Sequence, residues 1–181
     1  MEMFDELDEN GCFTGNTISR DEAHKAGAWH RAVVLNFVSP CGKVLLQKRS
    51  KHKKTWPGCW DISCGGHVEA GCLGLEAAVR EAEEELGIHV DSNDVRFISC
   101  VRSDNKSDRM WDRHFNDYFV AVKDVDVTQI KLQENEVDEI KWVDFADFKK
   151  MVARRDETLT SKWDCHEALV MYVDKYLAGG K

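Results

Sequence analysis

The sequence predicts a three-layer α/β/α sandwich on a mixed sheet, and three observations carry that prediction. Its 181 residues suit one compact domain, because a second core would leave each half thin. β-rich runs are interleaved with amphipathic helical stretches, the pattern of helices packed on both faces of a sheet. A glycine-rich loop also runs directly into a helix crowded with glutamates, which puts a functional centre near the middle of the chain. Nothing marks a linker, repeat or low-complexity tract, so residues 1–181 read as one domain.

Taken in order, Met3 to Thr14 reads as a hairpin turning at Asn10-Gly11. Its spacing Glu6-x-Asp8-x-Asn10-Gly11 mimics a calcium loop, but the twelfth position is Thr17 and no flanking helices are evident, so calcium is set aside. Ala32–Val38 and Lys43–Gln47 are β-rich runs around Ser39-Pro40-Cys41-Gly42 and are expected to form an antiparallel pair. A long loop is expected over Lys48–Gly66. Leu75, Ala78, Val79, Ala82 and Leu86 then fall at helical spacing over Leu73–Leu86, with Gly87 where a left-handed cap belongs. Strands are expected at Val95–Val101, His114–Val122 and Glu139–Val143. Helices follow at Phe145–Arg154 and Lys162–Leu177, the second capped by Ser161.

Composition removes several functions. A formal net charge of −8 argues against a nucleic-acid polymer as partner, since such binding relies on lysine and arginine displacing counterions. No apolar run approaches the roughly 18 residues a membrane span needs, and the acidic start MEMFDELDEN is unlike a secretory signal, so the cytoplasm is the expected compartment. The seven cysteines are odd in number and contain no CxxC pair; they read as reduced thiols, at least five of them small buried hydrophobes.

On the helix Leu73–Leu86, Glu81, Glu84 and Glu85 stand at i, i+3 and i+4 and share one face. Like charges so placed repel by a few tenths of a kcal/mol per pair, roughly, and a cation relieves the cost. Mg²⁺, which takes oxygen ligands and keeps several waters, suits such a row. Arg80 can pair with Glu76 or Glu84 and orient the cluster. The preceding Cys64-Gly65-Gly66-His67-Val68-Glu69-Ala70-Gly71 holds three glycines in eight residues, so backbone can approach a metal or phosphate closely.

The stretch from Gly66 to Ile88, GHVEAGCLGLEAAVREAEEELGI, resembles the Nudix box, G-x5-E-x7-R-E-U-x-E-E-x-G-U with U apolar. Gly66, Arg80, Glu81, Ala82, Glu84, Glu85, Gly87 and Ile88 fall in register, whereas Cys72 stands where the pattern has its first glutamate. A thiol is a poor ligand for hard Mg²⁺; Glu69 and Glu76 are close enough in sequence to take over part of that role. The resemblance implies a Nudix-like fold and a hydrolase that uses Mg²⁺, with Mn²⁺ able to substitute, to cut a small-molecule diphosphate. It further implies metal ligation by Glu81, Glu84, Glu85 and Gly66, orientation by Arg80, and a base drawn from the row itself or from Glu134 or Glu136.

WHRAV (Trp29–Val33), LLQKRS (Leu45–Ser50) and TWPGCWD (Thr55–Asp61) are similar to isopentenyl-diphosphate isomerases and the hydrolases related to them. Against an isomerase, its catalytic cysteine position is Gly65, with Cys64 one residue early. Of the acidic pair expected near Tyr118, only Asp117 aligns and Phe115 takes the other place. His30 and His67 match metal-ligand positions, and with His24 they form a candidate second metal site. The basic run Lys48, Arg49, Lys51, Lys53, Lys54 beside Trp56 offers phosphate contacts; Arg31, Arg49 and Lys48, with Gly65 and Gly66, are the expected substrate-binding residues. A hydrolase is the preferred reading, an isomerase the rival, and a binding module disabled at Cys72 the third class. A homodimer is the common assembly for folds of this size.

Overall fold

Turn chemistry decides where the chain first folds back. The computed structural model describes residues 1–108, 110–133 and 135–179. Asp8 Oδ1 accepts hydrogen bonds from the Asn10 and Cys12 amides at 2.8 and 2.9 Å, and Gly11 takes the left-handed conformation that closes the turn. The expected hairpin therefore forms, pairing β1 (Met3–Leu7) with β2 (Phe13–Ser19), and Asp8 is a turn-former. The Ser19 hydroxyl accepts from Glu22 N to cap α1 (Arg20–Ala26), which ends at left-handed Gly27. At seven residues this helix is too short to print a periodic pattern, and sequence reading passes over it.

The main sheet is organised around β3 (His30–Val38), which pairs in parallel with β8 (Trp111–Val122) along its whole length. The expected antiparallel pair forms, but only at its turn end. β3 and β4 (Val44–Arg49) meet only at Val38↔Val44 and then diverge. Ser63 fills the wedge: its hydroxyl accepts from Phe37 N at 2.9 Å and donates to Leu45 O at 2.8 Å. The segment expected as one long loop thus supplies β5 (Trp60–Asp61) against β4 and β6 (Cys64–His67) against β3. β9 (Val137–Val143) borders the other side of β4, and β7 (Val95–Lys106) lies outside β8, giving the order β5-β4-β3-β8-β7 with β6 on β3 and β9 on β4.

Alternation along β3 and β4 divides the core. Val33, Leu35 and Leu45 pack with Ala77, Ala78, Ala82 and Leu86 of α2 (Gly74–Leu86). Val38, Val44 and Leu46 pack on the opposite face with Phe148 of α3 (Phe145–Ala153) and with Leu169 and Val173 of α4 (Trp163–Leu177). The sandwich is therefore as expected, each fully buried aliphatic contributing roughly 1.5–3 kcal/mol over exposure.

Several expected details change. β7 and β8 extend as a polar ribbon past the expected limits, because Arg102–Lys106 pairs with Trp111–Phe115 without an apolar alternation to announce it. Ser161 is not the cap of α4; its hydroxyl accepts from Trp56 Nε1 at 3.0 Å, and Lys162 is the N-cap residue. Only Cys64 and Cys165 are buried, Cys59 and Cys72 are half-buried, and Cys12, Cys41 and Cys100 are exposed, so the expectation of five buried cysteines fails.

Asp61, on β5, anchors the start of α4. Its carboxylate accepts from Lys162 Nζ at 2.8 Å, Arg49 Nη1 at 3.3 Å and the Thr160 hydroxyl at 3.0 Å. Burial pushes this acid up, but the Lys162 ammonium, with help from His166 and Arg49, outweighs burial and brings it to about 2. Its folded value lies below the unfolded 3.8, so its stabilisation is present above that value and is lost as pH falls toward 2. Asp61→Asn is expected to cost about 2–3 kcal/mol at pH 7, less than a fully enclosed pair because Lys162 is partly exposed. In urea titrations from pH 7 to pH 2 the gap between variant and parent should close; a constant gap would show that the carboxylate's charge is not what anchors α4.

Candidate active site on the glutamate helix

α2 lies across β3, β6 and β4, and its acidic face meets the glycines of β6. At its start Glu76 Oε2 accepts from Leu73 N at 3.0 Å, and Gly87 ends it in the left-handed conformation. A Cβ on Gly66 would collide with the Glu81 carboxylate, and one on Gly65 with the Val33 carbonyl. Gly66 is thus what lets α2 settle with Glu81 against the strand backbone, and Gly65 what lets β6 lie close against β3. The β1–β2 hairpin steadies the connecting loop, Met3 O accepting from Ala70 N and Asp5 Oδ2 from Gly71 N, both at 2.8 Å.

The three glutamates occupy different surroundings. Glu84 is exposed; Glu81 is mostly covered; Glu85 is only 8% exposed and accepts from Gln47 Nε2 at 3.2 Å. Burial pushes the Glu81 carboxyl up, and burial together with the charges of Glu81 and Glu136 pushes Glu85 to about 8. The last turn of α2 holds no basic residue, so the negative end of the helix dipole adds to the repulsion. Arg80 is the nearest relief: it pairs with Glu69 at 2.9 Å, Glu81 at 3.3 Å and Glu84 at 3.9 Å. Glu69, not Glu76, is therefore the acid that reaches Arg80 from the region around Cys72.

The segment before β9 closes the other side. Gln133 N donates to Glu85 O at 3.0 Å, and Glu136, whose charge acts on Glu85, forms an ion pair with Lys53. Glu134, the other expected base, lies outside the described residues.

The expected substrate contacts separate. Gly66 lies beside Glu81 and Gly65 against the β3 backbone, whereas Arg31 pairs with Asp117 at 2.7 Å near the start of α2. Arg49 is committed to Asp61 and to the Thr55 carbonyl and hydroxyl. Lys48 points to the face opposite Gln47 and Glu85, with its ammonium over the Trp60 ring. Of the basic run, Lys53 is the member whose charge acts on Glu85, and sequence reasoning had given it no special weight. Cys72 lies toward the start of α2, in a shallow depression with Leu7, Phe13 and Arg31.

The three histidines do gather. His24, His30 and His67 present ring nitrogens that lie, with an Asp112 oxygen, within 4.8 Å of one another. Phe4 stacks on His30 and His67 at 4.7 and 4.9 Å, and Nε2 of both His24 and His30 is buried without a hydrogen-bond partner. Burial pushes His30 down to about 4 and His67 well below the usual range, so both are neutral donors at pH 7. Burial alone would raise Asp112, but its contacts with His114 and His24 hold it well below the carboxylate range. Three imidazoles and a carboxylate form a donor set that fits a borderline divalent metal. Asp112 and its neighbour His114, 3.0 Å away, were missed. Phe115 and Asp117, the positions examined instead, face α2, and only the parallel register His30↔His114 reveals which residues join the histidines. By the same alternation Cys64 faces α2, fully buried with its thiol pushed well up by burial and the nearby glutamates, whereas His67 faces the other way.

Comparison with known proteins returns one consistent likeness. The NUDIX domain family matches residues 28–162. "Nudix hydrolase 3" of Arabidopsis thaliana is 37% identical over 163 residues, which are 86% of this chain but 21% of that protein. An uncharacterized Nudix hydrolase of Listeria monocytogenes is 36% identical over 143 residues, 79% of this chain and 80% of the relative. An isopentenyl-diphosphate Delta-isomerase of Cutibacterium acnes is 29% identical over 168 residues, 90% and 83% of the two chains. In fold, a Deinococcus radiodurans crystal structure superposes with a TM-score of 0.69 at 22% identity, covering 96% of this chain and 98% of the other.

Glu85 supplies a direct test of the electrostatics. Its folded value of about 8 lies above the 4.5 of a free glutamate, so the stability it contributes is present below about 4.5 and is lost as pH rises through 8. With chelator present, Glu85→Gln should melt a few degrees above the parent at pH 9 and near it at pH 5. An equal difference at both pH values would mean that charge on Glu85 is not what the fold resists.

Proposed function

This chain belongs to the Nudix family, and on that premise we propose that it is a divalent-cation-dependent hydrolase that cuts the diphosphate linkage of a small organic diphosphate, such as a nucleoside diphosphate derivative. One observation carries the reading: Glu81 and Glu85 stand one helical turn apart over a glycine strand, Glu81 mostly covered and Glu85 buried; burial raises both carboxyls, and the charge of Glu81 raises Glu85 further. Such a pair is stabilised by a cation, and its oxygen donors suit Mg²⁺ or Mn²⁺. Glu81, Glu84 and Glu85, with the Gly66 carbonyl, are the proposed ligands.

A bound cation of this kind supplies charge neutralisation on the diphosphate and lowers the pKa of a coordinated water. The protein's own groups do the rest. Arg80, paired with Glu69 and Glu81, orients the carboxylates. Gly65 and Gly66 let phosphate oxygens approach the backbone. Glu136, beside Glu85, is the proposed proton acceptor for the attacking water. Arg31 serves the substrate by exchanging Asp117 for phosphate, whereas Arg49 and Lys48 have partners elsewhere and are weaker candidates.

The histidine–Asp112 cluster favours one second reading, isomerisation of an isoprenyl diphosphate by proton transfer, and in the preferred reading it is a second cation site. Cys64 argues against the isomerase: it cannot stand in for the missing thiol at position 65, since it lies on the other face of β6 from His67.

Incubating the protein with a panel of nucleoside and isoprenyl diphosphates, with and without Mg²⁺, is expected to yield hydrolysis that needs the cation. Glu84→Gln and Glu85→Gln should each lower it by at least about a hundredfold, the loss typical of removing a group that supports transition-state charge. Isomerised product without hydrolysis would promote the second reading, and no turnover of any substrate would leave a binding module. Cys72→Glu in the same assay should raise Mg²⁺ affinity or turnover; an unchanged value would indicate that Glu69 already fills the role.

A further inference from the structure

Lys53 holds a position that its neighbours in the basic run do not share. Lys51 and Lys54 are exposed and Lys48 lies over Trp60, whereas the Lys53 side chain is half-buried and its ammonium meets Glu136. Backbone contacts fix both partners. Lys53 N donates to Ser50 O at 3.0 Å, Ser50 N to Glu136 O at 2.8 Å, and Lys51 N to Asp138 Oδ2 at 3.1 Å, so the two loops are stitched together at this point. Glu136 N in turn donates to Gln133 O, and Gln133 N to the carbonyl of Glu85. The pair is thereby held against the C-terminal turn of α2, where its two charges act on Glu85 in opposite directions.

A carboxylate whose charge acts on the buried Glu85 needs a counter-charge whether or not a metal is bound, and here a lysine on an adjoining loop supplies it. A cation at the end of a long, flexible side chain can move from one partner to another. Building on the assignment of α2 as the catalytic helix, we infer that Lys53 is a tethered counter-cation: it neutralises Glu136 in the resting protein, yields that carboxylate when a divalent cation enters, and pairs with a diphosphate oxygen instead. Lys53 is thus a positioning residue. It keeps Glu136 from acting as a base until both cation and diphosphate are present, so that the proton acceptor is released only in the loaded site.

This role has a signature that a structural lysine lacks, because it opposes the metal and favours the anion. The test is calorimetric titration of chelator-stripped protein with Mn²⁺ alone, followed by titration of the Mn²⁺-loaded protein with methylenediphosphonate, a diphosphate analogue that is not hydrolysed. The relevant Mn²⁺ binding component is the one that Glu85→Gln removes. For that component Lys53→Met should bind Mn²⁺ about two- to fivefold more tightly, the factor one partly exposed ion pair contributes, while the analogue binds more weakly by at least that factor. Lys53→Arg, which keeps the charge, should stay near the parent in both. Mn²⁺ affinity that is unchanged or weaker in Lys53→Met overturns the inference while leaving the assignment of α2 intact. If Glu85→Gln removes no component at all, the assignment of α2 fails, and the inference with it.

Discussion

Ser63 stands between two strands that a simple hairpin would zip together. By accepting from Phe37 N and donating to Leu45 O, its side chain satisfies backbone groups that β3 and β4 would otherwise offer each other. Those strands can then separate beyond Val38↔Val44 without leaving buried polar groups unpaired, and β6 enters the opening. Everything distinctive about the site follows from that entry. Gly66 comes beside β3 with no side chain toward α2, the helix packs down on it, and Glu81 and Glu85 are carried into a place where carboxylates are costly.

That cost is borne by the rest of the molecule. The apolar face of α2, Ala77, Ala78, Ala82 and Leu86, is fully covered and holds the helix where its acidic face would not stay unaided. Arg80, Gln47 and Lys53 each lower part of the repulsion, but none cancels it, since Glu85 still titrates near 8. The arrangement resembles a spring held by packing: the same burial that raises the carboxyls is a cost that the proposed small, hard cation would relieve. A fold relaxed in the absence of metal would need these groups further apart or more solvated.

The sequence exposed the parts of this design that repeat or punctuate. α2 was legible from apolar spacing and from Gly87, and the acidic row from i, i+3, i+4 arithmetic. What could not be read were features that depend on partners distant in the chain. The parting of β3 from β4 rests on one serine twenty-six residues from Phe37. The distinction between Lys53 and Lys48 rests on strand alternation and on a contact with Glu136, neither visible in a basic run. Asp112 joins the histidines only because the parallel pairing of β3 and β8 aligns His30 with His114; the isomerase pattern points to Phe115 and Asp117, which have the wrong parity.

Parity also separates the two chemistries that this scaffold's relatives carry. On β6, residues alternate between the face of α2 and the face of the histidine cluster, so Cys64 and Gly66 look toward the glutamates while Gly65 and His67 look away. A proton-transfer site needs its reactive thiol on the histidine face, and on that face this chain has a glycine where the thiol would stand. Moving the cysteine by one residue does not weaken it by a small factor; it turns the sulfur through the sheet into the α2 core, where burial and two glutamates disfavour the thiolate. The glutamate face keeps Glu81, Glu84 and Glu85 and lacks the acid whose place Cys72 takes. With the histidine face lacking its nucleophile and the glutamate row kept, parity supports the proposed hydrolase over the isomerase.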